Sequence, residues 1–370
     1  MKDKKKKIIF IMALIAIVVI AGAGVLITFQ TYNYVEVTTI YESNSTDNSN
    51  YVQCLDGVLR YSRDGIVLLT EKGEEIWNQP CQMNNPAVEM CGDSVAIGDK
   101  GGTSILVFQK NGLKGEIQTT KTIEKFAVSS QGIVTAILKD EEMPLVMCYD
   151  AAGNKLVEHK VLPKNMGYPI DVSISKDGNT LLVSYIYTET GEVTTKVVYY
   201  YFGSDNKTGE HEVFQKDFAD TVIPVATFLK EDISVLVSDH ALIFQKGLRE
   251  VEETAQVTLN TEIQSVAYNE ELIAVLMRKD DAVGYKLNTY NVKGKLVSSV
   301  DVDKEYGNLK ITDKQIVLFD GQACSIYTKN GIKKYEGSIE QDIMDIFVTT
   351  GLNKYMVINA RGFYEVQLAK

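Results

Sequence analysis

The side chains most able to do chemistry are carboxylates, and they recur at regular places. Asp64, Asp99, Asp140, Glu189 with Glu192, Asp239, Asp280 with Asp281, and Asp320 each stand between two β-prone runs. Asn359, Arg361 and Gly362 hold the corresponding place near the carboxy terminus, and Arg63 precedes Asp64. Acids gathered on one face would suit a basic protein surface or a divalent cation. Turn chemistry alone also accounts for them, since Asp64-Gly65 and Asp320-Gly321 are hairpin sequences in their own right. No stretch has the dense DxDxDG spacing of a calcium loop. The candidate partner-binding face is therefore Arg63, Asp64, Asp99, Asp140, Asp239, Asp280, Asp320 and Arg361.

Other reactive groups are too sparse to build a site. Five cysteines, at 54, 81, 91, 148 and 324, form no CxxC pair, and the histidines number three, at 159, 211 and 240. That is poor zinc-site material. Cys54 and Cys91 are 37 residues apart, close to one repeat of the pattern described below, which leaves buried thiols and a disulfide both open, with burial the commoner fate. Only His240 has an acid beside it, and no GxSxG motif marks a nucleophile. No catalytic residue, metal ligand or cofactor is assigned.

Charge narrows the partners. The chain's formal charge of −11 includes a basic start, with Lys2, Lys4, Lys5, Lys6 and Lys7 against Asp3, so the remainder is more acidic still. Such a body repels phosphate backbones, and nucleic acid is not an expected partner. After the lysines, Ile8 to Phe29 runs 22 residues without a charge. As a helix it rises about 33 Å, enough to cross a hydrocarbon core of about 30 Å. Apolar residues continue past the small residues Ala21 to Gly24, so the segment is expected to stay as a signal anchor rather than be cleaved. Its flanking lysines put residues 1–7 in the cytoplasm and the body outside the cell membrane, with Tyr32 and Tyr34 at headgroup level.

The elements that must position the acids repeat. Glycine turns occur at Gly73, Gly112, Gly153, Gly209, Gly247, Gly294 and Gly331, at steps of 39, 41, 56, 38, 47 and 37 residues. Each follows short runs of Val, Ile, Leu and Tyr and precedes a polar strand. Periods near forty with four strands per unit mark the blades of an all-β propeller. The units fall at about 51–83, 84–120, 121–163, 167–218, 220–259, 260–302, 303–340 and 341–370. This predicts an eight-bladed β-propeller over 51–370, with seven blades as the alternative. The last unit has three strands, and the unassigned stretch 32–41 is predicted to close it, followed by a polar linker at 42–50. An open ring would expose sheet edges.

The segment Leu69 to Trp77, LTEKGEEIW, resembles the turn of the quinoprotein-type (PQQ-like, more broadly WD40-like) propeller repeat, with a tryptophan four residues after the glycine. Trp77 is the chain's one tryptophan, so the other turns lack that docking residue. In layout the whole chain resembles a family of membrane-anchored propellers of Gram-positive-type bacteria known as a domain of unknown function. The resemblance implies a fold and an envelope location, and no activity or cofactor. The expected function is an interaction or ligand-binding platform in the cell envelope. The alternative is a propeller enzyme, either a quinone-cofactor oxidoreductase or an envelope-glycan hydrolase or lyase that draws its acids from the loops.

Overall fold

The computed structural model describes Met12, residues 29–42 and residues 49–370, apart from 141, 190, 207–210, 281–282, 313–314, 341, 350, 352 and 361. Eight antiparallel four-stranded sheets make up the body, which settles the blade count at eight. Seven are continuous in sequence, at 50–80, 86–118, 123–160, 168–219, 225–258, 263–302 and 308–338. The eighth takes three strands from 345–369 and its fourth from Tyr34–Glu42.

Burial follows strand position within a blade. The second strands are mostly apolar, and Ser94–Asp99 and Val134–Leu138 are buried at every residue. Both their faces meet other blades, which is why they read as near-continuous hydrophobic runs. Outer strands such as Glu75–Pro80 and Lys155–Lys160 alternate between exposed and half-buried residues and carry more polar groups. The core is a series of inter-blade layers: Leu59, Ile66 and Leu68 of blade 1 pack on Val95, Ile97, Leu106 and Phe108 of blade 2. Each such aliphatic side chain contributes about 1.5–3 kcal/mol on burial. Trp77 stacks on Phe108 of blade 2 at 5.0 Å between ring centroids and 3° between planes. Its indole N–H donates to the Lys110 carbonyl at 3.3 Å.

The repeat is marked in the backbone as well. In blades 1 to 7 the ladder between third and fourth strands breaks register at one place, before Leu69, Phe108, Tyr149, Tyr200, Gln245, Tyr290 and Tyr327. Such a bulge sharpens the local twist, which each blade needs to fit beside its neighbours. The glycine turns that follow require left-handed backbone, with φ of 84° at Gly153 and 71° at Gly294.

Ring closure joins distant parts of the chain. Tyr34–Glu42 pairs antiparallel with Gly362–Ala369, with Tyr34 opposite Ala369 and Glu42 opposite Gly362. The residues just before it are fastened separately. The Tyr32 N–H donates to the Lys334 carbonyl at 2.8 Å, and the Lys334 ammonium donates to the Gln30 carbonyl at 3.0 Å. Asn353 donates to the Tyr32 hydroxyl. Tyr32 is buried between blades 7 and 8, which corrects its expected place at a membrane surface; Tyr34 is exposed. A further departure from the expected all-strand body is a single helical turn, Pro163–Met166, between blades 3 and 4.

Two faces follow from this topology. The upper face carries the loops between second and third strands and the connections between blades. The lower face carries the remaining hairpins and receives the chain at Tyr34. No helix among the described residues is long and apolar enough to cross a membrane. The expected span at Ile8–Phe29 lies outside them except for Met12 and Phe29, as do residues 1–7 and 43–48.

Deleting residues 29–42 should lower the thermal midpoint by more than about 5 °C, because a whole outer strand and the Tyr32 contact are lost. Differential scanning calorimetry and light scattering would show the drop together with self-association through the bared edge. An unchanged midpoint would refute the closing role.

Candidate functional site

The structure places the loop acids on the upper face without bringing them together. Asp99 is buried and accepts the backbone N–H groups of Asn84 at 2.9 Å and Asn85 at 2.7 Å, tying its loop to the connection from blade 1. Asp140 pairs with Lys121 at 2.8 Å and accepts the N–H groups of Glu142 and Met143. Lys121 above all, and then those amides, hold its carboxyl down at about 2. Asp239 binds the Nδ1 of its neighbour His240 at 2.7 Å. Arg63, Asp64, Asp280 and Asp320 are exposed. Arg361, Asp281 and the Glu189 side chain lie outside the described residues. Asp99 and Asp140 are thus loop fasteners, while the exposed members remain available to a partner.

The cysteines offer no reactive centre. All five are free. Burial pushes the thiols of Cys54, Cys148 and Cys324 up to about 12, where almost no thiolate exists at neutral pH. Among the described residues no group of three or more His, Cys, Asp or Glu side chains could hold a metal ion.

Charge does converge on the ring axis, a region to which the loop pattern in the sequence does not point. First strands of the blades face one another there, and the charged side chains they carry include Glu89, Lys125, Asp171, Lys310 and Asp345. Lys125 pairs with Asp171 at 3.0 Å, and Asp171 also accepts the Ala226 N–H at 2.8 Å, so one carboxylate links blades 3, 4 and 5. Lys310 pairs with Asp345 at 2.5 Å, joining blades 7 and 8, and lies 4.2 Å from the Phe347 ring centroid. Burial raises both aspartates, and their lysines partly offset it. Lys176 and Glu270 meet at 3.0 Å from the lower-face loops of blades 4 and 6, which are not neighbours in the ring.

Glu89 differs from its neighbours in having no lysine at contact distance among the described residues. Glu89 is open to solvent in the ring opening, yet the protein packed around it pushes its carboxyl up to about 7; Lys100 draws it back, Asp171 adds to the rise, and Lys125 lowers it. The Tyr268 side chain is partly open to solvent, and the surrounding protein first, then Glu89, raise its phenol to about 12. A sequence signal for these residues existed: single charges inside otherwise apolar first strands, as in AVEMC and YPIDVSI.

Two cavities flank these features. One of about 530 Å³ opens on the lower face between blades 7, 8, 1 and 2, lined by Met90, Lys310, Ile346 and Phe347 among others. Another of about 360 Å³ opens on the upper face between blades 5 and 6, beside Arg278, Lys279, Lys286 and Asn288.

Comparison with known proteins bears on the fold. A family model described as a family of unknown function (DUF5711) matches residues 28–368. No curated protein matches the chain. Among solved structures, BamB from Moraxella catarrhalis is similar at 11% identity with a TM-score of 0.52, covering 90% of this chain and 99% of that one. The apo form of AztD from Citrobacter koseri is similar at 12% identity with a TM-score of 0.52, covering 80% and 87%. Both are likenesses of fold.

The raised Glu89 carboxyl has a pH consequence. A folded value above the unfolded one contributes stability that is fully present below about pH 4.5 and is lost as pH rises through about 7. Glu89→Gln should therefore match the parent near pH 4 and melt above it at pH 8, the gap opening between those limits. Thermal melts across pH 4–8 would check this; a constant gap would rule it out.

Proposed function

We propose, for a chain that belongs to the DUF5711 family of unknown function, the role of a membrane-anchored, extracytoplasmic binding platform in the cell envelope. The observation that carries this reading is the place of the strand Tyr34–Glu42. It begins on the lower face five residues after the 22-residue apolar run Ile8–Phe29, and it is integral to the ring. With that run in the bilayer and Lys2 and Lys4 to Lys7 on the cytoplasmic side, the lower face sits next to the membrane and the upper face points away from it. The Tyr32, Lys334 and Asn353 contacts leave little slack between span and propeller. The exposed loop residues Arg63, Asp64, Asp239, Asp280 and Asp320 then form the presented surface, suited to a basic protein partner.

The carboxylates on the ring axis favour a structural part over hydrolysis. Asp171 and Asp345 are each committed to a lysine that bridges blades, so neither is left to pair with Glu89 as acid and base.

Photo-crosslinking groups placed at 64, 239 and 320 on the upper face, and at 111, 152 and 330 on the lower, test the platform in intact cells. A reproducible protein adduct from the upper set alone is expected, with the chain resisting a carbonate wash of the membranes. Release into the wash would overturn the anchor, and adducts from neither set would overturn the platform.

A further inference from the structure

Internal repetition shows where one blade departs from the rest. Two residues before each break in the third-to-fourth-strand ladder stands a side chain directed at the preceding blade. Blades 1 to 5 place Val67, Leu106, Met147, Val198 and Ile243 there. Blade 7 has Ser325, whose hydroxyl is bonded to that of Tyr306 at 2.7 Å. Blade 6 has Asn288. Its Nδ2 donates to the Tyr290 hydroxyl at 3.1 Å, and its Oδ1 is buried with no partner. An amide left half-satisfied where sister blades use aliphatics is a local cost that packing does not explain.

The surroundings of Asn288 explain it better. It lines the cavity of about 360 Å³ between blades 5 and 6, within the size range of small-ligand sites. Alternation along the third strand puts Lys286 on the same side, nearer the upper rim. The equivalent lysine in blade 4, Lys196, pairs with Asp217, whereas Lys286 has no ion-pair partner among the described residues. Asn260 and Thr261 close the cavity from the blade connection, and Arg278 stands at its mouth. Lys279 is committed to Asp301 at 3.3 Å. Arg278 interacts first with the Tyr285 hydroxyl and then with Glu262 and Glu305, and Asp280 lies on the rim.

We propose that this cleft binds a monosaccharide-sized ligand bearing a single carboxylate or phosphate. The anion meets Lys286 and Arg278, and ring hydroxyls meet the side chains of Asn288, Asn260 and Thr261 that line the cleft. Asp280 and Glu262 repel a dense polyanion, which limits the ligand to one charged group. The cleft opens on the surface that the platform reading turns outward, but its ligand is tested without reference to location.

Isothermal titration calorimetry of the full chain in detergent with glucuronate, glucose 6-phosphate, glucose and inorganic phosphate is the test. Saturable binding of one of the two anionic sugars is expected, and which one binds identifies the anion. Glucose and phosphate alone should each bind at least about 10-fold more weakly, since each lacks half the contacts. Lys286→Met should weaken the anionic sugar about 10-fold or more. Asn288→Val, which installs the residue type of blades 1 and 4, should weaken it while leaving the thermal midpoint unchanged or raised. Binding of neither sugar, equal binding of phosphate alone, or full affinity in both variants would overturn the site.

Discussion

A four-stranded antiparallel sheet buries too little apolar surface to stand alone, and each blade here completes its core only against its neighbours. The ring therefore exists only if it closes, and closure rests on one pairing, Tyr34–Glu42 against Gly362–Ala369. The layer formed by Val317, Phe319 and Tyr335 of blade 7 with Tyr355, Val357 and Val366 of blade 8 lies directly beneath it. Lys334 shows how firmly the entering chain is held. Its ammonium reaches the Gln30 carbonyl from a buried position, and burial lowers its proton affinity, a cost accepted at a seam.

Most of this architecture was legible because it rests on local rules repeated many times. A glycine at a left-handed turn, a polar strand after it and an apolar run before it are visible in any window of the chain, and the expected blade limits fall within a few residues of the sheets. What resisted reading depends on contacts between blades. Tyr32 looks like an interfacial aromatic until blades 7 and 8 are set around it. Asp99 and Asp140 resemble Asp64 in sequence, yet Asn84, Asn85 and Lys121 from preceding segments turn the first two into fasteners. Asn288 is unremarkable as an asparagine and conspicuous only once register aligns it with Val67 and Leu106.

The ion pairs on the axis show how a ring of weakly attached units gains cohesion at its narrowest part. Lysine and aspartate on adjacent first strands replace some of the apolar contact that short inner strands cannot supply. Asp171 adds a backbone amide from a third blade, so its geometry is over-determined. Such pairs add little net stability in a buried setting, but removing one partner strands the other, which makes them good markers of register between blades. Glu89 lacks that compensation.

The strand that seals the ring also precedes every other described strand in the chain. Tyr34–Glu42 leaves the ribosome before any complete blade, and its partner Gly362–Ala369 follows more than three hundred residues later. Contacts of that sequence separation are slow to form, because loop closure must precede them. During that interval the blades can stack in order while the last layer stays open, its edges unpaired. Assembly thus behaves as a nearly finished circle waiting on a single stitch, and the interval before that stitch is when a chaperone or a neighbouring chain has its best access.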